Sequence, residues 1–184
     1  MNIKKIIIIL TFLFLGISQI FADEKKKQLD QLFDELKNDN PVLSFKVEQK
    51  IWRIWSTHPK EEKLTLMLSK GSDLVNNDQL KEAVDVFTKV IELDSSWAEA
   101  WNKRATVLYL LGEFKKSQND IDKVLELEKR HFGALAGQGL VNIQLKNYEK
   151  AIMSYEKAQK IYPTMKSPKI MIKEIEKLIK KQSI

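Results

Sequence analysis

Cysteine is absent from the 184 residues, and His58 and His131 are the only imidazoles. Disulfides, thiolate nucleophiles, iron–sulfur clusters and thiolate zinc sites are thereby excluded, and too few imidazoles remain for the usual histidine metal clusters. Arginine is nearly as scarce, with three residues against 28 lysines, and its planar fork is the favoured partner of phosphate. No apolar run reaches the ~20 residues that cross a bilayer comfortably. Strand-like alternation between paired turn signals is missing from the mature chain. Also missing are a glycine-rich phosphate loop, His-Glu-x-x-His, Gly-x-Ser-x-Gly and any acid pair in a pocket-forming context. The sequence predicts no enzyme, no cofactor and no metal.

What is present begins with an uneven charge. The formal excess is +6. Lys4 and Lys5 supply two of these charges, and Lys166–Ile184, with six lysines against Glu174 and Glu176, supplies the other four. Residues 23–165 are formally neutral. A nucleic-acid groove needs cations along a binding face to displace counterions, so no nucleic-acid partner is predicted. With 43% hydrophobic residues and a mean hydropathy of −0.32, the chain has enough apolar material for a core and too little for a polytopic membrane protein.

Met1 to Lys5 is short and positive, Ile6 to Ile17 is apolar apart from Thr11 and Gly16, and Ile20-Phe21-Ala22 precedes Asp23. This is the layout of a secretory signal peptide over 1–22, cleaved after Ala22. An exported, periplasmic protein is expected. The bulky Ile20, where cleavage sites prefer a small residue, keeps open an uncleaved anchor in the inner membrane facing the periplasm. Membrane contact is expected only through that leader.

Beyond the leader the chain reads as all-α. Leu29, Leu32, Phe33 and Leu36 make one helical stripe and Leu43, Val47, Ile51, Ile54 and Trp55 a second, with Asn38-Asp39-Asn40-Pro41 between them. Residues 23–63 thus form a helical hairpin. From 64 to 165 the chain repeats at an offset of 34 without a gap. Leu64, Ala98 and Phe132 coincide, as do the small residues Gly71, Ala105 and Gly139, then Leu80, Phe114 and Tyr148, then Ala83, Ser117 and Ala151, then Phe87, Ile121 and Tyr155. Each copy is a helix pair that must stack on its neighbours to bury its apolar face. Gly112 can end a first helix in the left-handed conformation, with Asn77-Asp78 and Lys146-Asn147 at the equivalent places.

Trp101, Ala105, Gly112, Phe114 and Ile121 in the middle copy, and Gly139, Tyr148, Ala151, Tyr155, Ala158 and Pro163 in the last, resemble the tetratricopeptide repeat (TPR). The resemblance implies a right-handed solenoid of three helix-turn-helix repeats (64–97, 98–131, 132–165), with the hairpin as N-terminal cap. A basic helix over 166–184, started by Ser167-Pro168 and packed through Met171, Ile175, Leu178 and Ile179, closes the other end. Capping is preferred for it over a membrane-surface role. Lys70, Arg104 and Gln138 stand where the repeat usually has leucine, placing one polar residue per copy near the core.

In TPR proteins the first helices line a concave groove that binds a protein or peptide. The matching positions are Leu68, Ser72 and Val75; Asn102, Thr106 and Tyr109; and Ala136, Leu140 and Ile143, with Arg130 and His131 at the rim. Asn102 and Tyr109 can hydrogen-bond a peptide backbone. A TPR subtype grips a terminal carboxylate with Lys and Asn side chains in the first copy, Asn in the second, and Lys and Arg in the third. Leu68, Ser72, Lys103, Gly133 and Gly137 stand at those places, so no such clamp is expected. Arg104 needs a carboxylate, and Asp73 and Asp120 are its candidate partners, either locking copies one and two or gripping a ligand.

Overall fold

The structure, a computed structural model, describes residues 24–182, so the expected signal peptide lies outside the described residues. Among those residues there are nine helices and no strand. Helix α1 covers 24–36. Asn40 caps α2 (Pro41–Trp55) by accepting from the Val42 and Leu43 amides, and Pro41, which has no amide hydrogen, occupies the first turn. Three pairs follow: α3 (Glu62–Asn76) with α4 (Leu80–Leu93), α5 (Ala98–Leu110) with α6 (Phe114–Leu127), and α7 (Phe132–Gln144) with α8 (Tyr148–Ile161). The last helix of the described residues is α9 (Lys166–Gln182), and each helix from α3 onward packs on the next.

The turn inside each pair is the same structure three times. Asp78, Gly112 and Lys146 have φ of 58°, 75° and 58°. In each, the following amide reaches back five residues, Gln79 to Leu74, Glu113 to Leu108 and Asn147 to Asn142, all at 2.8 Å. This is the Schellman closure, which satisfies carbonyls that the helix end leaves open. Only the middle copy has the glycine that takes this φ without strain.

Pair closure depends on a size match. A Cβ on Gly71 would collide with the Phe87 ring, and one on Gly139 would lie 2.6 Å from the Tyr155 ring. The middle copy has Ala105 and Ile121 in one core cluster, a larger small residue facing a smaller large one. Ser117 donates to the Ala105 carbonyl at 2.7 Å, so the crossing is also hydrogen-bonded there.

The polar residue expected near the core forms a repeated latch in the second and third copies. Arg104 grips Asp120 with two bonds of 2.8 Å and donates to Thr88 in the preceding copy at 3.1 Å. One repeat on, Gln138 accepts from Ser154 at 3.0 Å and donates to Asp122, the counterpart of Thr88, at 3.3 Å. Arg104 therefore joins copies one and two as an ion pair with Asp120. Asp73 is not its partner: it aligns with the buried Val107 and Val141, but in the first copy no earlier repeat lies against that face. Lys70 and Leu66 are exposed there for the same reason, Leu66 by 63% against 0% and 1% for Ala100 and Ala134.

That open end means that the hairpin is not an N-terminal cap. All four residues of the first stripe are buried, together with Val47, Ile51 and Trp55, but their cluster is completed by Phe132 and Tyr162 from the last copy. Leu43 is exposed; the buried place in that turn belongs to Ser44, whose hydroxyl donates to the Asn38 carbonyl at 2.8 Å. The hairpin lies along the loops that join successive copies. At the far end α9 does cap, with Ile175 fully buried among Ala151, Tyr155, Met171, Ile172 and Ile179. It begins at Lys166, so Ser167 and Pro168 fall inside its first turn, and Leu178, expected in the packed stripe, is exposed.

Gly139→Ala should cost about 1–3 kcal/mol by overpacking against Tyr155. In a Gly139→Ala, Tyr155→Ile double variant the two costs should fall short of additivity by at least about 1 kcal/mol, as read from urea midpoints at constant m.

Candidate partner-binding face

The first helices α3, α5 and α7 bring equivalent residues into rows running from their N-terminal to their C-terminal ends. The rows are Thr65, Glu99, Gly133; Leu68, Asn102, Ala136; Ser72, Thr106, Leu140; and Val75, Tyr109, Ile143. The hairpin covers the first row. The His58 amide donates to Thr65 Oγ1 at 2.8 Å, and a Cβ on Gly133 would lie 2.6 Å from the Trp52 indole. Trp55 lies flat on His131, with centroids 4.0 Å apart and planes 8° from parallel. Trp97 Nε1 donates to the Trp55 carbonyl at 2.8 Å, and Tyr162 donates to Glu48 at 3.1 Å. One helix, α2, is thus tied to both corners between copies and to α9's approach.

Both histidines hold those corners. His131 Nδ1 accepts from the Ala134 amide at 3.0 Å, so the proton of the neutral ring sits on Nε2 and is donated to Glu99 Oε2 at 3.1 Å. His58 repeats the arrangement, with Nδ1 accepting from the Lys60 and Glu61 amides and Nε2 paired to Asp94 at 2.8 Å. Burial pushes the Asp94 carboxyl up, but hydrogen bonds from Ser96 and His58 outweigh it and hold Asp94 below the usual carboxylate range.

His131 is 0% exposed and so is no rim residue. Arg130 is half-buried, paired to Asp30 at 2.6 Å and Glu128 at 3.1 Å, with its guanidinium 4.2 Å from the Phe33 ring centre. Burial lowers its pKa and the two carboxylates more than restore it, so the net shift is upward. It fastens α1 to the corner before α7.

Most of the second row is also withdrawn from the groove. Leu68, 2% exposed, belongs to the core with Phe87 and Trp97. Asn102, 9% exposed, spends its amide on Glu99 at 3.2 Å and does not offer it to a peptide. Seven of the nine expected groove residues remain: Thr106 and Leu140 are exposed, and Ser72, Val75, Tyr109, Ala136 and Ile143 half-buried. All seven are uncharged. The exposed Leu110 adjoins them on α5, and Tyr109 accepts a long bond from Gln144 at 3.4 Å.

Glu99, Trp52 and Trp55 are the residues that sequence reasoning missed. Glu99 sits near a helix start, where an acid ordinarily faces water and the helix dipole, so nothing in the pattern marks it as fully buried. Gly133 was the available signal: a glycine at an inner-face position leaves room for a large ring from elsewhere in the chain. Among the described residues no group of His, Cys, Asp or Glu side chains could hold a metal ion.

The tetratricopeptide repeat family model matches residues 98–131 and 133–165, the second and third copies. A TPR repeat-containing protein of Rhizobium etli is 30% identical over 143 residues, covering 77% of this chain and 70% of that one. Human sperm-associated antigen 1 is 22% identical over 119 residues, and the chain spans only 13% of its length. The Arabidopsis OM64 TPR domain superposes with a TM-score of 0.61 at 25% identity, over 63% of this chain and 96% of that one. The first TPR of Spaghetti (RPAP3), solved bound to an HSP90 peptide, shares the fold with a TM-score of 0.62 at 20% identity, over 64% and 94% of the two chains.

Because Asp94 is held low in the folded state, its contribution to stability is full above the unfolded carboxylate pKa of about 3.9 and is lost as pH falls through the lower folded value. Urea midpoints should therefore fall below about pH 4, and Asp94→Asn, less stable at neutral pH, should show a flatter acid limb.

Proposed function

We propose that this chain, which belongs to the tetratricopeptide repeat family, is an exported module that holds a peptide or partner protein on the open half of its inner face. The observation that carries the reading is the division of that face. The rows Ser72, Thr106, Leu140 and Val75, Tyr109, Ile143 stay accessible, while the chain's own α2 fills the row beside Gly133. An uncharged strip of this kind suits an extended segment or helix that presents apolar side chains, with Ser72, Thr106 and Tyr109 supplying hydrogen bonds at little desolvation cost.

A terminal-carboxylate ligand fits this face poorly. Leu68 is in the core, and Gly133 and Gly137 bring no cation. Trp52 stands over the place where a lysine of the clamp would project.

The leader supports export to the periplasm. A second reading, a membrane-tethered scaffold for an envelope complex, rests on the same segment left uncleaved. Mature protein beginning at Asp23 in the soluble fraction would dismiss the tether.

A photo-crosslinking residue at Thr106 should capture a discrete partner in the native envelope fraction, while one at Lys116, exposed on the outer helix α6, should not. Adducts from Lys116 alone would move the interface to the outer surface and favour the scaffold.

A further inference from the structure

The positive charge of the folded chain is gathered at one end. Residues 24–145 carry nineteen basic and twenty acidic side chains, whereas 146–182 carry ten lysines and four glutamates. Six of those lysines are on α9: Lys166, Lys169, Lys173, Lys177, Lys180 and Lys181, all exposed. At 3.6 residues per turn they fall within an arc of about 120°, and Glu174 and Glu176 lie outside it, one on each side. Only Lys177 has an ion-pair partner among the described residues, Glu174 at 2.7 Å. The opposite side of the helix is the one that caps the stack through Ile175.

Ile170 lies within the lysine arc and is 59% exposed. An apolar side chain set among lysines gains nothing from a hydrated acidic protein surface or from a nucleic-acid backbone. Both would also favour arginine, whose fork matches carboxylate and phosphate geometry. Lysine stems can lie along an interface with the ammonium groups among headgroups while a central isoleucine enters the acyl boundary. Four of the six lysines are a full turn or more from Ile170 along the helix, so the charge extends over the length of α9 and does not form a point site.

We propose that the outward face of α9 docks on an anionic phospholipid surface, Ile170 entering the boundary and the lysines holding the headgroups. Capping and membrane docking are then carried by opposite faces of one helix. The solenoid lies with its last copy toward the bilayer, and the open strip on α3, α5 and α7 remains free for a partner.

Flotation of the full chain with vesicles of phosphatidylcholine, with and without 30% phosphatidylglycerol, tests this, because insertion of the apolar leader would contribute to both. Binding to the anionic vesicles should be at least about tenfold stronger and should weaken steeply between roughly 0.05 and 0.5 M salt, because the attraction of lysines to an anionic surface is screened. A variant with Lys169, Lys173, Lys177 and Lys180 changed to Gln should lose that preference, while melting as the native chain does because these side chains leave the cap untouched. Ile170→Ser should weaken binding several-fold at unchanged charge. No preference for anionic vesicles, an undiminished preference in the four-lysine variant, or tighter capture by polyglutamate or duplex DNA than by the vesicles would overturn the proposal.

Discussion

Trp55 stacked on His131, with Trp52 over Gly133 beside it, decides how much of the inner face the chain keeps for itself. Everything about the proposed site follows from that contact. The stack places a buried imidazole against the fully buried Glu99, which in turn takes the amide of Asn102. A chain of side chains that sequence position alone assigns to a groove is thereby converted into a floor. Since α2 also bonds the corners at Trp97 and Tyr162, its seat is fixed at three points along the stack, and its apolar cluster contains residues from both ends of the sequence. An element held in this way is part of the core and limits the groove.

The repeat was legible because its cause is local. Interdigitation of a small with a large residue recurs every 34 residues, and the pairs Gly71 with Phe87 and Gly139 with Tyr155 are both in the sequence and in contact. The polar latch at Arg104 was half legible. A guanidinium near a core must meet a carboxylate, but choosing Asp120 over Asp73 requires knowing that the face of α3 bearing Asp73 has no neighbour. Groove residues were legible as positions and not as exposures. Leu68 is closed off by its own repeat's core, whereas the burial of His131 depends on where the hairpin docks, a docking that brings together residues up to 114 apart in the chain. No periodic signal records such a contact.

The two ends of the stack solve the exposed-face problem differently. The first copy substitutes Lys70 and Asp73 at places that are latched or buried in later copies, so it can face water without a separate cap, at the cost of leaving Leu66 exposed. The last copy keeps its apolar face and needs α9, whose Ile175 fills the place that a further repeat would cover. Freed from capping the first copy, the hairpin is available to lie across the corners.

The central claim is that the inner face is divided into a filled and an open half. The absence of native cysteine makes thiol labelling of single-cysteine variants the direct measurement. Cysteines at Thr106 and Leu140 should react at nearly the rate of the unfolded chain, and cysteines at Leu68 and Glu99 at least about a hundredfold more slowly, their labelling waiting on local opening. Labelling at Glu99 as rapid as at Thr106 and Leu140 would contradict the account, because it would mean that the hairpin does not occupy the face.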